Sequence, residues 1–144
     1  GKRDKNSNGG IFHVIDCSNE IFNTVAKDLR SLYSKITVVG EYVEVPAKFP
    51  TVTLDEISNT PTHLDSATIN KYAKVIYRSQ IFCNGNGKRK RAREIFDSLD
   101  KKLMVLGLTM KTYTTTPAIY NSEVYCITAT HEGVIDADGM IYRA

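Results

Sequence analysis

Apolar residues fall into two periods along this chain, and the switches between them mark out its elements. Ile21, Phe22, Val25, Leu29, Leu32 and Tyr33 recur three and four residues apart, which predicts a helix with one apolar stripe. Asp16 or Ser18 is placed to cap it, because a short side-chain oxygen accepts a hydrogen bond from a free first-turn N–H. Glu20 then suits the positive end of the helix dipole. From Ile36 the period falls to two. "ITVVGEYVEV" and "FPTVTLDEI" are strand patterns, with Gly40 as a bulge or bend and Pro46 and Pro50 bracketing their connection. "SNTPTHLDSATIN" predicts a polar loop.

"KYAKVIYRSQIFC" is the cleanest strand. Ala73, Val75, Tyr77, Ile81 and Cys83 share one face, and Lys74, Arg78 and Gln80 take the other. A glycine-rich turn follows, and the period returns to that of a helix. Ala92, Ile95, Phe96, Leu99, Leu103 and Leu106 lie within roughly 100° of arc, with Gly107 as the stop. "LTMKTYTTT" and "SEVYCITATHEGV" are threonine- and tyrosine-rich strands, with Pro117 and Asn121-Ser122 as the turn between them. "VIDADGMIYR" reads as two short strands around residues 136–139. So few helices cannot cover both faces of a sheet. The order predicts an α+β fold: a mainly antiparallel sheet with two helices packed on one face.

Length and composition narrow the class. A chain of 144 residues suits one domain and buries roughly 68–70% of its unfolded surface, enough for a core without staples. Residues 1–14, opening "GKRDKNSNGG", predict a flexible N-terminal arm, and residues 15–144 a single domain. Three cysteines, Cys17, Cys83 and Cys126, give an odd count without a CxxC spacing, which predicts reduced thiols, mostly buried, rather than a disulfide framework or a zinc knuckle. The longest apolar run, 103–106, is far too short for a bilayer, and no positive-then-apolar pattern opens the chain, so neither a membrane location nor a leader is expected. Net charge is +3, mild overall but concentrated.

The concentration lies in "NGNGKRKRARE", residues 84–94. Lys88, Arg89, Lys90, Arg91 and Arg93 crowd the predicted start of the second helix, and Asn84, Gly85, Asn86 and Gly87 form its turn or cap. A phosphate-binding loop fails two tests: Phe82 stands where G-x-x-x-x-G-K-[ST] needs its first glycine, and Arg89 replaces the hydroxyl. Cations at a helix N-terminus cost about 0.3–1 kcal/mol each at low salt. A sequence that breaks a local rule this openly often does so for function. DNA phosphates or a neighbouring subunit's carboxylates would relieve the cost; the plainer reading is a solvated face with a frayed first turn.

Catalytic and metal chemistry finds little support. His13, His63 and His131 lie in separate regions, "DADG" lacks the Glu that closes a calcium loop, and no G-x-S-x-G surrounds a serine. His131, Glu132, Asp136 and Asp138 are the acid–base or metal candidates, more simply explained by an exposed hairpin. No cofactor is expected.

A family resemblance adds to this reading. "IDCSNEIFNTVAKDLRSLY", "GEYVEVPAKFPTVTLDEISNTPT", "KVIYRSQIFCNGNGKRKRAREIFDSLDKKLMVLGLTMK" and the closing "IYRA" together resemble the tail-terminator or tail-completion proteins of long-tailed bacteriophages, also described as minor capsid or head–tail joining proteins. The resemblance runs from Ile15 to the end and rests on the order and character of segments. Its most specific parts are "KFPTV" with the acidic residue after it, the strand–loop–helix around Lys88, the "LG" before the next strand and the terminal "YR". It implies a non-enzymatic virion protein without cofactors, assembled in the host cytoplasm. Such a protein forms a six-fold ring at the head-proximal end of the tail. Its partners would be itself, the tail tube protein and the head connector or stopper, with genomic DNA crossing the lumen. A connector, stopper or tube subunit is the neighbouring alternative, and a small basic nucleic-acid-binding module the more distant one.

Overall fold

The computed structural model describes residues 18–62, 72–118 and 121–136. The predicted arm at residues 1–14, Asp16, Cys17, His13, His63 and the closing 137–144 lie outside the described residues. Two helices and five strands follow in the order α1 (Ser18–Leu32), β1 (Thr37–Val39), β2 (Thr51–Thr62), β3 (Tyr72–Asn84), α2 (Lys88–Val105), β4 (Thr109–Ala118) and β5 (Asn121–Asp136). The strands form one sheet in the order β1-β2-β3-β5-β4. Only the β1–β2 pairing is parallel; β2–β3, β3–β5 and β4–β5 are antiparallel. The fold is α+β, with the helices packed side by side against the sheet.

Alternation along the strands builds the core. Val52 and Leu54 of β2, Val75, Tyr77 and Ile81 of β3, and Ile127, Ala129 and Ile135 of β5 are all buried. The register sets Val52 beside Ile81 and Ile81 beside Ile127, so these side chains share the face that meets the helices. Val25, Leu29, Ile95, Leu99 and Leu103 close on them from α1 and α2. Each such side chain contributes about 1.5–3 kcal/mol when removed from water. Tyr33 ties the helices together: its hydroxyl donates to Glu94 O at 3.1 Å and lies 3.0 Å from Ser98 Oγ. A pair of backbone bonds ends α2, from Gly107 N–H to Met104 O (2.9 Å) and from Leu108 N–H to Leu103 O (2.8 Å). This is the double closure that a left-handed residue after the last turn allows.

Several segment boundaries differ from the sequence reading. Leu32 is not in the α1 stripe; it is 57% exposed at the helix end. "ITVVGEYVEV" keeps only three residues of strand. Its remainder crosses the helix-free face of the sheet instead. There Gln80, buried on β3, binds Val43 as a strand would: Val43 N–H donates to Gln80 Oε1 and Gln80 Nε2–H donates to Val43 O, both at 3.1 Å. Thr53 Oγ1 also donates to Gln80 Oε1 at 2.9 Å. Arg78 covers the Tyr42 ring at 4.4 Å while pairing with Asp55 at 2.9 Å. A side-chain clasp replaces a backbone ladder, and period-two patterning does not foresee that. The predicted loop at 58–62 is the second half of β2, reached through a bulge between Glu56 and Ser58. β5 runs unbroken to Asp136, so no new strand begins at Val134.

Candidate functional site

The basic segment sits where β3 turns into α2. Asn84 ends the strand, and Gly85 and Gly87 both take left-handed backbone, with φ of 78° and 75°. Only glycine adopts that conformation freely, so the pair makes the sharp reversal that brings α2 back over the sheet. Of the four residues expected to form the turn or cap, Gly87 is the N-cap, and neither Asn84 nor Asn86 adds a side-chain cap. No acidic residue occupies the first turn.

Lys88 is half-buried, and Arg89, Lys90, Arg91 and Arg93 are exposed around the buried Ala92. None of the five forms an ion pair with a carboxylate among the described residues; the pairs formed there are Lys74–Glu132, Arg78–Asp55 and His131–Asp100. Arg89 lies over the Tyr125 ring of β5 at 5.6 Å. Arg91 Nη1–H donates to Asn84 O at 3.4 Å, bracing the turn. Gly85, Asn86, Gly87, Lys88, Arg89 and Lys90 line an open hollow of about 390 Å³. A second open hollow of about 440 Å³ lies between the end of α1 and the start of α2, with Tyr33, Phe49, Pro50, Arg91 and Ile95 in its wall. The turn and the helix start therefore form one projecting basic surface with an aromatic ring beneath it.

Burial of Cys83 behind this surface pushes its thiol up to about 11, against the opposing pull of Arg91. Burial likewise raises the Cys126 thiol, against a hydrogen bond from Thr128. Both are free cysteines. Raised pKa values suppress the thiolate, so neither is set up as a nucleophile.

The histidine and acidic candidates are not brought together. His131 points into the core, fully buried, with Nε2 2.8 Å from Asp100 Oδ1 of α2. Its neighbour Glu132 lies on the opposite face of the sheet, 3.3 Å from Lys74 Nζ. Asp138 lies outside the described residues. Among the described residues no group of three or more His, Cys, Asp or Glu side chains is placed to hold a metal ion, and no helix is long and apolar enough to cross a membrane.

No family model and no curated protein matches the chain.

The sequence reading passed over the His131–Asp100 pair. A signal existed: Asp100 falls one turn after Phe96, just beyond the edge of the apolar arc of α2, and His131 falls on the apolar face of β5 with Ile127, Ala129 and Ile135. A polar residue within one apolar face and another bordering the facing stripe are each other's natural partners.

Proposed function

We propose that the chain is a structural virion protein that caps the end of a phage tail tube as a ring, ends tail growth and forms the joint to the head connector. One observation carries this reading. Five cations project from an uncapped helix start, and no carboxylate among the described residues neutralises them. Within one copy Arg89 meets the Tyr125 ring and Arg91 donates to Asn84 O, but neither contact neutralises the charge, whereas a ring would supply a neighbour's carboxylates and a lumen DNA phosphate. The order of segments shared with tail-terminator proteins supports the same role.

The test is deletion of the gene from the phage. Expected are tails of uncontrolled length, or finished tails that never join heads. Over-long tails indicate the terminator, and unattached tails of normal length a connector or stopper. A lysate with normal infectious particles sinks the proposal. The basic surface with Tyr125 beneath it also favours a second reading, a nucleic-acid-binding module. That reading expects DNA retention that falls steeply with salt, and a shallower salt dependence in an Arg89→Ala, Arg91→Ala variant.

A further inference from the structure

Two surfaces of this chain complement each other and do not meet within one copy. The first is the hollow between the end of α1 and the start of α2. Leu32, Tyr33, Phe49 and Pro50 give it an apolar wall, and Lys35 and Arg91 are the cations that line it. Leu32 is 57% exposed there, and both cations are exposed. Neither cation pairs with a carboxylate among the described residues; Arg91 makes one long bond, to Asn84 O at 3.4 Å.

The second surface is the strap of residues 40–48, which crosses the helix-free face of the sheet. Glu41, Tyr42, Glu44 and Val45 are exposed on it, Tyr42 at 50% and Val45 at 61%. Of the exposed large apolar side chains among the described residues, these two are the ones flanked in the chain by exposed carboxylates. Neither Glu41 nor Glu44 has an ion-pair partner there. Lys48, the strap's one cation, stands beside Phe49 of the hollow in the chain.

The strap is held in place. Gln80 binds Val43 at both its N–H and its C=O, and Arg78 covers the Tyr42 ring, so Glu44 and Val45 follow a backbone fixed from beneath. A pre-organised knob loses little freedom on binding. Gln80 reaches the strap on the helix-free face, whereas the hollow opens between the two helices, and no residue of the strap lines it.

Chemistry matches the two surfaces. Val45 suits the apolar wall, and the carboxylates beside it are the anions that Lys35 and Arg91 lack. Arg91 gains doubly, since a carboxylate also offsets the helix dipole at its position in the first turns of α2. Like surfaces do not match: hollow against hollow brings cations together, and strap against strap brings carboxylates together.

We propose that the strap of one copy docks in the α1–α2 hollow of a second copy, with Val45 against the apolar wall and Glu41 and Glu44 beside Lys35 and Arg91. Such a contact is heterologous, so it repeats from copy to copy and closes into a ring where the rotation per copy allows. The inference rests on the ring reading for its partner being a second copy, and it names the neighbour's carboxylates.

Charge reversal tests it. The hollow variant is Lys35→Glu with Arg91→Glu, and the strap variant is Glu41→Lys with Glu44→Lys. Light scattering at tens of micromolar is expected to show wild-type assemblies larger than a dimer. Each variant alone should be monomeric with wild-type circular dichroism. An equimolar mixture should regain assemblies of wild-type size, because the reversed strap of one fits the reversed hollow of the other and their native surfaces still fit. Lys101→Glu with Lys111→Glu, neither of which lines the hollow, should assemble as wild type. Val45→Ser should raise the concentration of half-assembly about tenfold, the loss of one buried apolar side chain. A mixture that stays monomeric overturns the proposal. So does a Lys101, Lys111 variant that also falls apart, which marks a bulk charge effect. Hollow and strap variants that assemble as wild type overturn the docking and leave the ring standing. A hollow variant that assembles but no longer retains DNA overturns it in favour of nucleic acid at this site. A wild type that is monomeric throughout overturns the docking, and the gene deletion then decides the ring reading by itself.

Discussion

Asp100 Oδ1 of α2 accepts a hydrogen bond from His131 Nε2–H of β5 at 2.8 Å, and His131 is fully buried. The bond pins the second helix to the sheet beneath it. Among the described residues Nδ1 of the same ring has no partner, so the bond to Asp100 is the one the imidazole makes there.

Removing that bond strands a buried polar ring. Asp100→Ala is expected to cost about 1–3 kcal/mol, the usual penalty for a buried group left unsatisfied. Asp100→Asn keeps an acceptor oxygen and should lose less. Urea midpoints of the three proteins check this. Equal losses in both variants would show that the bond contributes little.

Gly133 marks a second tight contact. A Cβ built on it would stand 2.5 Å from Leu108 Cδ2 and 3.2 Å from Gly107 O. Leu108 is fully buried, so its side chain must shift within the packed core to make room. Gly133→Ala should therefore destabilise the chain by about 1–3 kcal/mol through overpacking. Thermal melting reads it. An unchanged melting temperature would mean that the turn after α2 yields freely.

The basic helix start should be better off with an acid. Arg89→Glu puts a carboxylate at the positive end of the helix, four residues before Arg93, at the cost of the Arg89–Tyr125 contact. The isolated chain should gain about 0.5–1 kcal/mol while assembly or DNA retention weakens. Melting and light scattering on the same sample separate the two effects. A less stable variant would show that the Arg89–Tyr125 contact outweighs the cost of a cation at the helix start.

Cys83 gives stability an alkaline limb. Its folded pKa of about 11 lies above the ordinary 9.0, so the folded chain holds the proton that the unfolded chain releases. The contribution is full below pH 9.0 and is lost as pH rises through about 11. Stability should fall in that window by about 1 kcal/mol per pH unit relative to a Cys83→Ala variant, with Cys126 adding in the same direction. Denaturation at pH 8, 9.5 and 10.5 checks the sign. Parallel curves for the two proteins would remove Cys83 as the cause.

Much of this molecule was written in its periodicities. Val25 and Leu29, Val75 and Ile81, Ile95 and Leu99 each follow a local repeat that names their element and their buried face. The basic helix start was equally visible, because five cations in six residues need no fold to be noticed.

Tertiary structure decided the rest. Gln80 lies on the polar face of β3, and only the path of residues 40–50 makes it a buried clasp for Val43. His131 and Asp100 are 31 residues apart and meet only because α2 packs across β5. The strand order places β5 between β3 and β4, so strands that follow one another in the chain are not neighbours in the sheet. Local patterning is set by a residue's own neighbours and the solvent, so sequence reveals it. Partner choice between distant segments is set by how all the apolar faces close at once, and no local window contains that information.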